Sequence, residues 1–170
     1  MNKKIFAVHK HEAKTLHYDF RLEIEGFLKS WAIPKGPSSD HNQKRLAIET
    51  EDHPLGYKDF EGVIEEGNYG AGTVMLWDSG TYENVSIIDN QPVSAQKAYE
   101  SGQIKFKLNG KKMKGGWVLI KTTYMGKSNQ WLLIKEKDEF ENTVSSLTEN
   151  FDKSVKTNMT IDEIKQDRKI

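Results

Sequence analysis

Hydrophobic and polar residues alternate strictly from residue 16 to residue 24, and this period of two predicts a β-strand. One face of that strand carries the apolar side chains of Tyr18, Phe20, Leu22 and Ile24. The other face carries four polar side chains, those of His17, Asp19, Arg21 and Glu23. An exposed strand ordinarily presents Thr, Ser, Lys or Glu on its outer face. A neutral metal ligand, an anionic ligand and a guanidinium in one row instead indicate a functional site.

Short apolar runs separated by Gly, Pro and Asn predict further strands and few long helices. The predicted strands cover residues 28–33, 45–51, 73–77, 81–82, 104–108, 117–121 and 130–135. Asp78-Ser79-Gly80 is interpreted as the turn of one hairpin, and Asn109-Gly110 as the turn of another. The fold class is therefore mainly β, with enough antiparallel strands to close a barrel or to fill a sandwich.

Two short helices and a polar tail complete the predicted elements. Residues 94–101 form one helix, with Ser94 as N-cap and Gly102 just past its end, and residues 160–168 form another, capped by Thr160. Residues 1–140 are expected to make one barrel domain. Residues 141–170 are expected to be a polar extension with a short helix, packed on that domain or trailing from it. The chain has no internal repeat, so a second domain is not expected.

Composition limits the function classes. The chain has 170 residues, 25 basic and 25 acidic side chains, 36% hydrophobic residues and no cysteine, which suits one soluble domain in a reducing compartment. The N-terminal apolar run is too short for a signal peptide, and no later run could span a bilayer, so a cytoplasmic protein with no membrane partner is expected. A net charge of zero argues against a broadly basic nucleic-acid surface but permits a local basic patch.

The first polar face predicts a metal site next to an anion site. His17 and Asp19 lie two residues apart on one face, and His11 lies upstream in a segment that can fold back. Two imidazoles and one carboxylate suit Mn²⁺, Fe²⁺ or Zn²⁺ and leave coordination positions open. Ordinary polar contacts explain the same pattern equally well until Arg21 is considered. Because a guanidinium cannot bind a metal, Arg21 on this face indicates an anion, most simply a phosphate.

A second polar cluster follows the strand at residues 45–51. His53 could protonate a leaving oxygen, and Tyr57 could donate a hydrogen bond to a phosphoryl oxygen. The Gly-rich stretch 67–72 lacks a Gly-Lys-Ser/Thr ending and precedes a strand, so it is interpreted as a tight turn and not as a phosphate loop. His9 and His41 have no ligand spacing of their own and are left out of the site.

Several blocks resemble the 3′-phosphoesterase domain of bacterial and archaeal ATP-dependent DNA repair ligases, the ligase D family. The blocks are residues 11–23, 31–38, 51–55, 60–64, the Gly-rich turn through Trp77-Asp78, and residues 131–135. Their order and spacing are specific, and together they cover the chain to about Phe140. The resemblance implies a compact closed or nearly closed antiparallel β-barrel with a few short surface helices.

The resemblance also implies an activity: a Mn²⁺-dependent enzyme, with Zn²⁺ or Co²⁺ as other possible ions, that trims 3′ ends of DNA or of RNA/DNA primers. Members remove a 3′-terminal ribonucleoside as phosphodiesterases and then hydrolyse the 3′-phosphate as phosphomonoesterases. The metal ligands fall on His11, His17 and Asp19, the phosphate contacts on Arg21, His53 and Tyr57, and supporting polar residues on Lys35, Arg45 and Glu51. Whether water attacks or a histidine forms a covalent adduct is left open.

The resemblance further implies a role in non-homologous end joining, with a separate DNA ligase and end-joining proteins as partners. Longer relatives carry an N-terminal arm that assists the monoesterase step, whereas this chain begins ten residues before His11. The phosphodiesterase is therefore the firmer expectation. The tail resembles the segment that follows the domain in fused ligases, so a free-standing version of the domain is expected.

Two other functions fit the same residues. His17-x-Asp19 with a distant His53 is also the facial triad of a non-haem Fe(II) oxygenase, and in that reading His11 takes no part. Alternatively, a non-catalytic module could bind nucleic-acid ends, with Arg21, Lys35 and Arg45 contacting phosphates and exposed aromatic side chains stacking on bases.

Overall fold

Eleven β-strands and three short α-helices are found in residues 3–123 and 126–167, the part of the chain that the computed structural model describes. The strands are β1 (Lys4–Glu12), β2 (Leu16–Ile24), β3 (Phe27–Ile33), β4 (Arg45–Pro54), β5 (Gly62–Ile64), β6 (Gly72–Asn84), β7 (Ile87–Ile88), β8 (Gln91–Pro92), β9 (Gln103–Gly110), β10 (Lys114–Lys121) and β11 (Gln130–Lys135). The helices are α1 (Ala95–Ser101), α2 (Leu147–Asn150) and α3 (Ile161–Asp167), and a 3-10 helix covers Leu55–Asp59.

Eight strands close into an antiparallel barrel in the order β1-β2-β3-β4-β11-β10-β9-β6, with β6 pairing back to β1. The thirteen-residue strand β6 makes this closure possible. One edge of β6 pairs with β1 along most of its length, while the other edge pairs first with β5 and then with β9. The strands β7 and β8 form a separate small hairpin. The predicted fold, a mainly β single domain with a closed barrel and few short helices, is confirmed.

Aromatic side chains fill the barrel. All four tryptophans are fully buried, and Trp31 packs edge-on against Trp131 with ring centroids 5.6 Å apart. The predicted apolar face of β2 is part of this core, where Phe20 stacks on Phe106 from β9. Large buried aromatic side chains contribute much of the stabilising free energy of a core. The apolar side of β2 is therefore held firmly in place. Its polar face is thereby presented in a fixed position.

The hairpin predicted at Asp78-Ser79-Gly80 is wrong, because these residues lie inside the continuous strand β6. Asp78 is fully buried and accepts backbone N–H bonds from Lys111, Lys112 and Met113, at 3.0, 3.2 and 2.8 Å. It therefore ties β6 to the turn between β9 and β10. A Cβ on Gly80 would lie 2.2 Å from the carbonyl oxygen of Asn109, so the glycine permits close approach of two strands.

The second predicted hairpin is shifted in sequence, whereas the predicted helix caps are confirmed. The strands β9 and β10 do form a hairpin, but Asn109 and Gly110 stay in β9 and the turn lies at residues 111–113. The sequence predicted that the segment around His11 folds back, but it did not predict the strand β1. The helix α1 has the predicted caps, with Ser94 Oγ accepting from Lys97 N at 3.1 Å and Gly102 left-handed at φ 86°. The reciprocal bonds of Thr160 and Glu163 cap α3, while the predicted last residue, 168, lies outside the described residues.

The described part of the C-terminal extension packs on the barrel. Trp77 Nε1 donates to the carbonyl oxygen of Phe151 at 2.6 Å, and Val155 N donates to that of Leu76 at 2.9 Å. The division of the chain at residue 140 stays a prediction. Within the described residues, no helix is long and apolar enough to cross a membrane.

Candidate metal and phosphate site

The hairpin of β1 and β2 brings the three predicted metal ligands together. In its register, His11 lies opposite His17, and Asp19 follows two residues later on the same face. The distance from Asp19 Oδ2 to His11 Nδ1 is 3.5 Å, and that from Asp19 Oδ1 to His17 Nε2 is 3.2 Å. One ligand atom from each residue lies within 4.8 Å of the others, so the three side chains could bind a single ion.

Backbone carbonyls determine which nitrogen of each histidine faces this centre. His11 Nε2 donates to the carbonyl oxygen of Ala71 at 3.1 Å, and His17 Nδ1 donates to that of Thr15 at 3.2 Å. The remaining nitrogen of each ring therefore points toward Asp19. Hydrogen bonds of this kind orient the imidazoles of metal sites.

The arrangement requires positive charge at its centre. If both imidazoles are neutral, their lone pairs face the carboxylate oxygens of Asp19, and like partial charges repel. Either protons or a cation must lie between them. Burial alone would raise the pKa of Asp19, but hydrogen bonds from His11 and His17 and the charge of Arg21 together hold that pKa well below its usual range. The hydrogen bond with Asp19 raises the pKa of His17. Two nitrogens and an ionised carboxylate are a donor set that fits a divalent ion.

Arg21 lies beside this centre and is held on three sides. It is 3% exposed. Its Nε donates to His9 Nδ1 at 3.0 Å, and its Nη1 donates to Ser30 Oγ at 2.8 Å. Its Nη2 lies 3.5 Å from Asp19 Oδ2. A buried guanidinium with so many partners keeps one orientation, which suits recognition of an oxyanion.

His9 fixes Arg21 and was missed by the sequence analysis. Its Nε2 donates to the carbonyl oxygen of Phe60 at 3.1 Å, so its Nδ1 is the acceptor that receives the Arg21 bond. Burial, with the charge of Arg21 as a smaller cause, lowers the pKa of His9 to about 3. The ring is therefore neutral at physiological pH. The alternation of side chains along a strand could have indicated His9, because residues 9 and 11 lie on the same face of β1.

His53 and Tyr57 approach Arg21 from the end of β4 and from the 3-10 helix. His53 Nδ1 lies 3.1 Å from Arg21 Nη1 and 3.0 Å from the carbonyl oxygen of Glu51, so it accepts from the guanidinium in one tautomer and donates to the carbonyl in the other. Burial, and next the charge of Arg21, lowers the pKa of His53. The Tyr57 ring centroid lies 5.0 Å from Arg21 Cζ and 4.9 Å from the His53 ring. Burial raises the pKa of Tyr57, so the phenol keeps its proton.

One cavity of about 370 Å³ joins these groups. Its lining includes six of the predicted site residues, His11, His17, Asp19, Arg21, His53 and Tyr57. Ala32, Ile64 and Tyr69 also line it. Tyr69 is 68% exposed at the rim, with its ring centroid 6.4 Å from that of His53. No motif singled out Tyr69, which lies in the Gly-rich turn.

Three predicted residues lie outside the lining of this cavity. Lys35 is exposed in the turn after β3, and Glu51 is exposed on β4, where only its carbonyl oxygen approaches His53 Nδ1, at 3.0 Å. Arg45 donates to the carbonyl oxygen of Gly36 at 3.1 Å and lines a separate cavity of about 290 Å³. Their supporting roles stay predictions. Glu23, the last polar residue of the face, accepts a bond from Ile5 N at 3.0 Å.

The geometry also bears on the oxygenase alternative. That reading required His53 as the third ligand and left His11 aside. His11 instead completes the cluster with His17 and Asp19, while His53 Nδ1 is engaged by Arg21. The three side chains that converge are therefore those that the resemblance implied as ligands, and their binding of an ion stays a prediction.

Fold and site together define a β-barrel domain with a candidate divalent-metal centre beside a buried arginine. The family model of the DNA Ligase D 3′-phosphoesterase domain matches residues 9–121, and the chain belongs to that family.

Two relatives illustrate the relationship. The chain is 50% identical over 133 residues, 78% of its length, to the multifunctional non-homologous end joining protein LigD of Pseudomonas aeruginosa. It is 40% identical over 139 residues, 82% of its length, to the multifunctional non-homologous end joining DNA repair protein LigD of Mycobacterium tuberculosis. The matched regions are 15% and 17% of those proteins, so the chain spans less than a fifth of the length of either relative.

Proposed function

We propose that this chain is a divalent-metal-dependent phosphoesterase that processes the 3′ ends of DNA. Its reactions would be removal of a 3′-terminal ribonucleoside and hydrolysis of the remaining 3′-phosphate to a hydroxyl. The observation that carries the proposal is the meeting of His11, His17 and Asp19 beside the buried guanidinium of Arg21 in one cavity. Membership of the 3′-phosphoesterase family supports a hydrolase that acts on DNA ends.

His11, His17 and Asp19 would hold the ion, which we propose is Mn²⁺, with Zn²⁺ and Co²⁺ as other candidates. A bound divalent ion supplies positive charge that neutralises a phosphate oxygen and makes phosphorus easier to attack. The histidines can serve as neutral ligands because their other nitrogens donate to carbonyl oxygens. Asp19 can serve as an anion because a carboxylate is ionised at neutral pH, and the nearby charge of Arg21 lowers its pKa.

Arg21 would bind the phosphate group next to the ion. Because His9 and Ser30 already hold the guanidinium, no reorganisation is needed when negative charge grows on the phosphoryl oxygens. Electrostatic groups fixed in advance are a large source of rate enhancement.

His53 and Tyr57 would complete the phosphate pocket as hydrogen-bond donors. We assign to neutral His53 the tautomer in which Nδ1 accepts from Arg21, so that the proton on Nε2 can be donated to a phosphoryl or leaving-group oxygen. Tyr57 keeps its phenolic proton because burial raises its pKa. Both rings adjoin Arg21, so their protons would act on the same anion.

The biological setting is also proposed from the relatives, whose names describe multifunctional non-homologous end joining proteins. The substrates would be 3′ ends of DNA or of RNA/DNA primers, and a DNA ligase and end-joining proteins would act with this chain. The expected location is the cytoplasm.

A labelled primer–template that ends in a 3′-ribonucleotide tests the proposal. With Mn²⁺, the parent should first yield a 3′-phosphate and then a 3′-hydroxyl, resolved on a sequencing gel, and chelation should abolish both products. His17→Ala should leave the primer intact, while Asp52→Asn, a variant of an exposed residue outside the cavity lining, should act like the parent. If His17→Ala trims the primer at the parental rate with Mn²⁺, the assignment is wrong. Binding of ends without products would instead favour the non-catalytic module.

A further inference from the structure

We propose that Asp40, His41 and Glu141 form a second divalent-cation site that links the loop between β3 and β4 to the segment after β11. His41 and Glu141 are separated by 100 residues in the sequence. None of the three lines the candidate active-site cavity. The proposal is thus independent of the proposed function.

The side chains converge as the ligands of one ion would. One ligand atom from each of the three residues lies within 4.8 Å of the others. His41 Nδ1 is in direct contact with Glu141 Oε2. The His41 and Glu141 side chains are 27% and 17% exposed, so the group is partly withdrawn from water while an open side remains for solvent ligands.

Backbone hydrogen bonds hold both segments in place. Asn142 N donates to the carbonyl oxygen of Ser39 at 2.9 Å, next to the three side chains. His41 N donates to Glu141 Oε2 at 3.1 Å, and Asn42 N donates to Asp40 Oδ1 at 2.9 Å. The donor atoms are therefore assembled by the fold itself. An ion that binds here does not have to order either segment.

The charges of the group also call for a cation. Two carboxylates face a single imidazole, which carries at most one positive charge. Among the described residues, no Lys or Arg nitrogen lies within 4 Å of the carboxylate oxygens of Asp40 or Glu141. Arg45, in the adjoining cavity, donates to the carbonyl oxygen of Gly36 and to Gln43 Oε1. A divalent ion would balance both carboxylates at once.

The donor types indicate which ion. One imidazole nitrogen and two carboxylate groups, without a thiolate, suit a transition metal, and Zn²⁺ accepts three such ligands with water in the remaining position. The ligands come from two segments that meet only in the folded chain. Bound ion would therefore raise the free energy of unfolding, by an amount that grows with the logarithm of the free ion concentration.

Zinc content and zinc-dependent thermal unfolding of the full chain test this site. We expect His41→Ala and Glu141→Gln each to bind one zinc ion fewer per chain than the parent, with at least about tenfold weaker affinity at this site. In a His17→Ala background, added zinc should still raise the unfolding temperature, and Glu141→Gln should abolish that rise. Glu149→Gln, an acidic residue of the same extension that is outside the group, is the matched control and should behave like its background.

The results separate the two metal proposals. If His41→Ala and Glu141→Gln keep the parental zinc content and thermal shift, the group is only an ion pair and this proposal is wrong. If His17→Ala keeps the parental content of both Mn²⁺ and zinc while His41→Ala loses zinc, the active-site proposal fails and this one stands. Should His41→Ala fold poorly, the visible absorption of Co²⁺ added to the His17→Ala chain decides, because a band that Glu141→Gln removes supports the site and an absent band overturns it.

Discussion

The active-site cavity has two halves that are built differently. One half stands on the paired strands β1 and β2 and supplies His11, Asp19 and Arg21, all less than 9% exposed. The other half, the turn-borne half, comes from the end of β4, the 3-10 helix and the Gly-rich turn, and it supplies His53, Tyr57 and the mostly exposed Tyr69.

From this contrast we expect the two halves of the cavity to have different roles in the reaction. Groups on the strands have several fixed partners, so they can hold charge in one position, as stabilisation of a transition state requires. The groups of the other half are more exposed to solvent, which suits contacts made as the substrate enters the cavity. Variants of the strand-borne half should therefore lower kcat strongly, and variants of the turn-borne half should have smaller effects.

The largest effect is expected for Asp19→Asn. The substitution keeps the shape of the side chain but removes its negative charge, so the ion should bind poorly and its contribution of several kcal/mol should be lost. We expect kcat for ribonucleoside removal to fall at least about a thousandfold. Single-turnover assays at saturating Mn²⁺ measure this. Asp52→Asn, which changes a more exposed carboxylate paired with Lys29, is the control and should keep the parental rate. A loss of less than about tenfold in Asp19→Asn would remove the metal centre from the reaction.

Arg21→Lys should have the next largest effect. Lysine keeps the positive charge but cannot reproduce the bonds of the guanidinium to His9, Ser30 and His53. We expect kcat to fall about a hundredfold, the scale of losing one fixed donor to a transition state. Steady-state kinetics on the 3′-ribonucleotide primer measure it. A lysine variant with parental kcat would show that charge alone suffices and that the fixed geometry of this half is unimportant.

His9→Leu and His9→Asn test whether His9 positions Arg21. Leucine cannot accept the Arg21 Nε bond and leaves a buried donor unpaired, whereas the Asn amide oxygen can take the place of Nδ1. We expect kcat to fall about tenfold in His9→Leu, and His9→Asn to recover most of that loss. Equal losses in both variants would mean that His9 serves packing only.

The sequence predicted the residues of the strand-borne half that lie on β2, but it did not predict that β1 is a strand. Alternation over β2 placed His17, Asp19 and Arg21 on one face, and only the register of the hairpin was needed to add His11. The register also adds His9, which has no ligand spacing in the sequence and whose Nδ1 accepts from Arg21. Local alternation gives the face of a residue but not its partner across the sheet, since pairing depends on distant contacts.

The local pattern predicted only part of the turn-borne half. It indicated His53 and Tyr57 as candidates, the family resemblance assigned them to the phosphate, and Tyr69 carried no signal. The misplaced hairpin at Asp78 has a similar cause. Asp, Ser and Gly favour turns locally, yet here the Asp78 carboxylate binds backbone N–H groups more than thirty residues away and Gly80 permits close strand packing. Tertiary contacts overrode the local preference.

The pH dependence of kcat/KM should report His53. Burial and the charge of Arg21 lower its pKa below the ordinary value of 6.5, so the ring is neutral above that lowered pKa and can accept the Arg21 bond. Below it, the ring gains a proton, loses the acceptor and places a second positive charge beside Arg21. At saturating Mn²⁺, kcat/KM should fall by up to about tenfold per pH unit below a midpoint under 6.5. In His53→Asn, this fall of kcat/KM at low pH should be absent. A midpoint above the ordinary value, or an unchanged fall in His53→Asn, would contradict the assignment.

Tyr69→Ala should have the smallest effect and is the sharpest test of the division between the two halves. The Tyr69 ring lies at the rim, mostly exposed, and close enough to His53 for a nucleoside attached to a bound phosphate to reach it. Stacking of a base on such a ring contributes about 1 kcal/mol or more, so KM for the 3′-ribonucleotide primer should rise about fivefold. Because the ring is not placed on the reacting phosphate, kcat should stay within about twofold of the parent, and Tyr69→Phe should keep both constants because it keeps the stacking face. A fall in kcat as large as that of Arg21→Lys would show that turns and strands share the chemistry, and the proposed division would then be wrong.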